Sequence, residues 1–336
     1  MHNKLNNLQA LRAFAALNVV LFHIIGISKS YGFGVVGLKI FDGWGFNGVD
    51  IFFVLSGFIM VYIQRNKKIS PAIFFIDRLT RIAPLYWLLT ATVLALTYSF
   101  PSIFRSDFSD IQMHSLASIF FMSQLFLGKM PVLFDGWTLE YEILFYASIT
   151  IGLFFHKKNL TYLFVMLLIS FLMIFDLIQT VAFEFLLGIF LGNIYLNIEN
   201  NKKIQLASLV VGLTWFISTL IVFRLESQIF TQRVIMYGLP SFLIIYGLLG
   251  INQIQRGVLT KLGDASYSIY LLQVFTIPAF YKLIKVIKVF DGVPHDFLAI
   301  LCLISTAIGG YLMYELVEKH LTKWTRIIYF RFFWKI

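Results

Sequence analysis

The chain has 336 residues, of which 59% are hydrophobic, 18% aromatic and only 13% charged, with a mean hydropathy of +0.82. Such a composition supplies too little polar surface for a water-soluble globule, and it excludes disordered, collagen-like and disulfide-rich secreted classes. The formal charge is +10, from 27 Lys and Arg against 17 Asp and Glu, but the charges sit between apolar blocks, so they report membrane orientation and lipid contact rather than nucleic acid.

In chain order, about ten apolar blocks have the length needed to cross a hydrocarbon core of about 30 Å. They cover 8–28, 46–64, 83–100, 137–155, 160–176, 181–197, 204–223, 233–251, 266–290 and 297–317. The blocks are continuous rather than alternating, which predicts an all-α polytopic membrane protein and not a β-barrel. The first carries Arg12 and His23 and no small-residue cleavage site, so it is expected to remain as a span. Ser70-Pro71 reads as an N-cap followed by proline at the first helical position. It opens an amphipathic segment, with Ile73, Phe74, Phe75, Ile76, Leu79 and Ile82 set against Asp77, Arg78 and Arg81, expected to lie along the inner membrane surface. Residues 115–128 are too short to span and are expected to be re-entrant or interfacial. The single Cys302 lies inside an apolar block and reads as packing. There is no internal repeat, linker or soluble domain, so 1–336 reads as one membrane domain. With the N-terminus inside, Lys and Arg favour the inner segments roughly two to one, which places both termini in the cytoplasm.

Titratable groups within spans cost at least about 2.5–3.5 kcal/mol each on insertion scales and need an explanation. Counted from the block boundaries at about 1.5 Å per residue, His23, Asp50 and Glu142 fall at one level, roughly 6–7 Å from the outer face, with Glu184 close to it. A histidine beside carboxylates is what a general base requires, because the carboxylate orients the imidazole and stabilises its protonated form. The same grouping also suits a structural hydrogen-bond knot or the proton relay of a transporter. Zinc has little support, since none of the six His stands at ligand spacing with another His or Cys.

Arg12 and His23 are separated by close to three full helical turns, so both project from one face of the first span, about 16 Å apart. Arg78 and Arg81, at i and i+3, present two guanidinium groups on one side of a helix, and such forks suit phosphates, although headgroup anchoring would use them equally well. A donor held by its phosphates at the inner face could extend a long arm along the first span toward His23. Coenzyme A has that shape, which points to a membrane acyltransferase.

Five motifs now support a resemblance. Leu8-Gln9-Ala10-Leu11-Arg12 through His23, the run Gly48-Val49-Asp50-Ile51-Phe52-Phe53-Val54-Leu55-Ser56-Gly57-Phe58, and Arg78-Leu79-Thr80-Arg81 followed by Ile82-Ala83-Pro84-Leu85-Tyr86-Trp87 come first. Trp137-Thr138-Leu139 with Glu142 and Phe145-Tyr146, and Gly263-Asp264-Ala265-Ser266-Tyr267-Ser268-Ile269-Tyr270-Leu271-Leu272, follow in order. Together they resemble the acyltransferase 3 family of integral membrane acyltransferases, whose bacterial members O-acetylate cell-surface polysaccharides. The resemblance implies His23 as the essential catalytic residue and Asp50 and Glu142 as active-site carboxylates. It also implies Arg12, Arg78 and Arg81 as acyl-CoA contacts and Ser56 as a polar lining residue.

Two positions depart from the pattern. Gln273 stands where many relatives carry His, so a second acid/base role there is lost, and His320 stands where a proline is usual. The expectation is therefore transfer of an acetyl group from acetyl-CoA to a hydroxyl of a glycan or its lipid-linked precursor, in the inner membrane of a bacterium, with no metal. The alternatives are a proton-coupled transporter, or the same enzyme using a succinyl or longer acyl group. Oligomeric state is not legible.

Overall fold

A computed structural model describes residues 5–65, 69–100, 111–222, 233–287, 290 and 292–333. Helices account for nearly all regular structure, and no strand occurs among the described residues. Each of the ten apolar blocks lands on a helix. Among the described residues, seven helical runs are long and apolar enough to cross a membrane, while Lys158–Ile174 and Val234–Gly250 are shorter apolar helices. The chain divides into two compact units, Met1–Lys67 with Gln179–Tyr311, and Lys68–Ile178 with Leu312–Ile336.

The first unit contains α1 (Asn6–Ser28), α2 (Asn47–Gln64), α8 (Phe183–Asn197), α9 (Lys202–Val222), α10 (Leu239–Gly250), α11 (Val258–Asp264) and α12 (Ser266–Ile287), and the chain then enters α13 (His295–Met313). Its core joins Leu11 and Ala15 of α1 to Val54 and Phe58 of α2, Leu191 of α8 and Ile245 of α10. In lipid, helices associate through close packing rather than through a hydrophobic drive, so small residues mark the seams. At Gly57 a Cβ would stand 2.2 Å from the Phe185 carbonyl oxygen, and at Gly188 2.2 Å from that of Val54, so α2 and α8 touch backbone to backbone.

The second unit contains α3 (Pro71–Ser99), α4 (Ile111–Ile119), α5 (Ser123–Leu127), α6 (Trp137–Leu153), α7 (Lys158–Ile174) and, after a wide turn at Tyr314–Glu318, α14 (Lys319–Phe333). The Ser70 side chain caps α3 by accepting from the Ile73 amide at 3.3 Å, and Pro71 follows at the first helical position, as expected. The amphipathic segment, however, is not a separate helix. It runs without a break through Pro84 into the third span, giving 29 residues, about 44 Å long.

Residues 111–127 form two short helices parted at Phe121, whose φ is +58°. They are tied to α3 and α6 rather than crossing beside them. The Tyr86 hydroxyl and the Trp87 indole donate to the carbonyls of Ser118 and Ile119, and the buried Glu140 carboxylate accepts the Ser123 and Gln124 amides, each at 2.8 Å. The hairpin therefore packs partway along α3, since Tyr86 lies about 20 Å back from its end at Ser99. Buried broken backbone needs protein groups to satisfy it, and Glu140 does so for two of the orphan amides that open a helix.

Candidate functional site

In the first unit the register of α1 against α2 decides which groups can meet. A Cβ on Gly45 would collide with the Asn18 carbonyl and the Phe22 side chain, and one on Gly48 with Ala15 and Val19. The helices thus run antiparallel with residue 50 level with about residue 15, and His23 level with about residue 42. His23 and Asp50 differ by about 12 Å along the helix axes. The sequence expectation of a shared depth for these two does not hold, because the connection 29–46 folds back along the end of α1 instead of starting α2 at its tip. That connection is anchored by the Asp296 carboxylate, which accepts the amides of Val36, Gly37 and Leu38 at 3.3, 3.2 and 2.7 Å.

Half-buried His23 packs its ring beside Phe22, with centroids 5.2 Å apart. One and a half turns earlier on α1, Asn18 donates to Asn47 at 2.6 Å, and both amides are buried. Asp50 is wholly buried and receives Nε and Nη2 of Arg233, each at 2.8 Å, in a bidentate pair. The guanidinium also lies over the Phe46 ring, 3.9 Å from its centroid, a favourable placement for a desolvated cation. Glu184, also wholly buried, stands within electrostatic reach of both partners. The expected closeness of Glu184 to Asp50 is therefore present, with Arg233 rather than His23 between the helices. Arg233 escaped the sequence reading because an arginine opening an apolar block looks like an interfacial anchor. The wide turn at Val234–Gly238 that follows it carries no sequence signature.

Arg12 donates from Nε and Nη2 to the Ser266 hydroxyl at 3.3 and 3.1 Å, joining α1 to the start of α12. The same register sets half-buried Ser56 within a turn of the Arg12 level. Arg12 and Ser56 thus share one end of the α1–α2 pair, and His23 occupies the other. Gln273 is buried on α12.

In the second unit α3 and α6 run antiparallel. Gly136 abuts the Tyr86 ring, and Phe74 meets Tyr146 edge-on at 6.4 Å. Glu142 is consequently level with about residue 79 and not near the far end of α3. Its carboxylate accepts the Tyr146 hydroxyl, and Tyr146 lies within electrostatic reach of Arg78 and Arg81. The sequence places Glu142 near an outer boundary because 137 reads as the start of a full span. The hairpin of α4 and α5 instead delivers the chain to α6 partway along α3, which brings Glu142 to the arginines. Asp77, whose role the sequence did not disclose, accepts Arg78 at 2.5 Å and also Arg326 of α14.

A family model described as an acyltransferase domain matches residues 5–330. The chain is 33% identical over 302 residues to the exopolysaccharide production protein ExoZ of Rhizobium meliloti (strain 1021), covering 81% of this chain and 88% of that protein. It is 29% identical over 123 residues to the peptidoglycan O-acetyltransferase OatA of Listeria monocytogenes serovar 1/2a (strain ATCC BAA-679 / EGD-e), covering 35% of this chain and 17% of that one. No solved structure gives a match.

Proposed function

Because the chain belongs to the acyltransferase 3 family, we propose that it transfers an acetyl group from acetyl-CoA to a hydroxyl of a bacterial surface glycan or its lipid-linked precursor. The observation that carries this reading is the family match across 5–330, which contains His23 and every arginine named above. The likeness to an exopolysaccharide production protein favours a polysaccharide acceptor, and the likeness to a peptidoglycan O-acetyltransferase favours acetyl and an oxygen acceptor. Membership in an acyltransferase family weighs against the transporter alternative. The setting is the plasma membrane, with both termini cytoplasmic and the donor drawn from that side.

In this scheme the His23 imidazole takes the proton of the acceptor hydroxyl as that oxygen attacks the thioester carbonyl. The tetrahedral intermediate collapses by breaking the carbon–sulfur bond. The oxygen ester remains on the glycan, and the proton on the imidazolium leaves with the coenzyme A thiolate. Arg12, Arg78 and Arg81 supply charge for the donor phosphates, and Ser56 lines the Arg12 end of the helix pair. Asp50, held by Arg233, acts as a positioning residue that fixes α2 against the start of α10. Glu142, bonded by Tyr146, balances and orients the α3 arginines.

The test is a deletion strain complemented with either the wild-type gene or its His23→Ala form, with the surface polysaccharide read by NMR. Acetyl signals lost on deletion, restored by the wild type and not by the inserted variant, support the reading. An unchanged polysaccharide spectrum in the deletion strain refutes it.

A further inference from the structure

Three of the four Lys and Arg side chains of α14 share one face, and Arg331 projects about 80° from Lys323. Lys319, Lys323 and Arg326 project within about 60° of one another. With Thr322, Ile327 and Arg331, all on the same helix, they line a shallow, open surface depression. Glu315 accepts Lys319 at 3.0 Å, so that charge is balanced. Arg326, by contrast, shares Asp77 with Arg78, one guanidinium on each carboxylate oxygen.

One carboxylate between two guanidiniums leaves a net positive charge and holds both forks in place. The Arg326 side chain stays 54% exposed, and the buried Nε of Arg78 has no hydrogen-bond partner. A helix that only anchors to headgroups needs a basic stripe, but it does not need a buried-side carboxylate that aligns one of its arginines with an arginine of another helix. Fixed, paired guanidiniums with a hydroxyl nearby suit a ligand carrying several phosphates.

We infer that the α14 depression extends the α3 arginine pair into a polyphosphate site that seats the nucleotide end of the acyl donor, through Thr322, Lys323, Arg326 and Arg331. This rests on acyl-CoA being the donor. Lys323 and Arg331 are both exposed and lie apart from the Asp77 clamp, so they can be changed with least risk to the fold.

The experiment measures binding of adenosine 3′,5′-bisphosphate to the full chain in nanodiscs of phosphatidylcholine, and again with added phosphatidylglycerol. Lys323→Ala with Arg331→Ala is expected to weaken binding at least about tenfold in both lipids, and Lys323→Arg to bind as the wild type does. In parallel, the double variant is expected to raise KM for acetyl-CoA while leaving turnover of acetyl-pantetheine, which lacks the nucleotide, at the wild-type rate. Absence of binding by the wild type, equal binding by the double variant, or a loss confined to phosphatidylglycerol discs would overturn the inference, the last pointing to lipid headgroups. Nucleotide binding without any acyl transfer would sink the proposed reaction and leave this site standing; transfer with unaltered binding would do the reverse. Thermal unfolding of the double variant at the wild-type temperature verifies that the losses are local.

Discussion

Replacing Asp50 with Asn deprives Arg233 of the partner that meets its Nε and Nη2 at 2.8 Å. Neither side chain reaches solvent, at 0% and 6% exposed. Breaking one side of a buried pair costs about 3–5 kcal/mol, because the remaining charge keeps its desolvation cost and loses its compensation. Glu184 stands beside the pair and offers a second carboxylate, so the single substitution falls near the low end, about 3 kcal/mol. Asp50→Asn combined with Glu184→Gln removes that reserve and should cost about 5 kcal/mol. Asp50→Leu with Arg233→Met eliminates both charges and should recover most of the loss. The assay is unfolding in mixed micelles followed by tryptophan fluorescence, with a double-mutant cycle at 50 and 233. The Glu315–Lys319 pair, 36% and 57% exposed, provides the contrast, with a coupling of about 0.3–0.5 kcal/mol. A coupling between 50 and 233 no larger than that one, or an apolar double variant as unstable as Asp50→Asn, would refute the reasoning.

Other outcomes follow from single contacts. Glu140→Ala frees the Ser123 and Gln124 amides, at about 1.5–3 kcal/mol for each lost bond to a charged group. Hydrogen exchange should therefore accelerate across α5, and unchanged exchange would show that the hairpin is held by other means. Asp296→Ala should accelerate exchange at Val36–Leu38 in the same way, with little effect on α2. Gly188→Val forces α2 and α8 apart, since even a Cβ would meet the Val54 carbonyl at 2.2 Å, whereas nothing lies within 4 Å of a Cβ at Gly26. Gly188→Val should lose the monodisperse species in size-exclusion chromatography and Gly26→Ala should keep it; equal behaviour would contradict the close packing.

What the sequence discloses here is set by the range of the forces involved. Span positions are legible because hydrocarbon thickness imposes a length on every apolar run, and each of the ten blocks falls on a helix, although α3 begins twelve residues before its block and the helical run through 297–317 continues to Phe333. The Ser70-Pro71 start is legible because capping is local chemistry. Depth is not, because it depends on where each helix begins relative to its neighbour. Gly45 and Gly48 slide α2 along α1, so Asp50 leaves the level of His23 that block boundaries suggested. The hairpin under Glu140 starts α6 partway along α3, so Glu142 lies beside the α3 arginines instead of near the far end of α3. The pairing of Asp50 with Arg233 spans 183 residues of sequence, and the linkage of Asp77 to Arg326 spans 249. Neither has a spacing rule from which to read it. The closeness of Glu184 to Asp50 survived because both sit a similar number of residues into parallel helices, where counting from the end works.

Acyl transfer by His23 is tested most directly with the purified chain in nanodiscs, given acetyl-CoA labelled in the acetyl group and the isolated surface glycan. The wild type should move label into a base-labile ester on the glycan and release free coenzyme A thiol in equal amount. His23→Ala, with its helices and unfolding temperature intact, should do neither. Label transferred at the wild-type rate by His23→Ala would contradict the mechanism, and thiol released without glycan ester would contradict the acceptor.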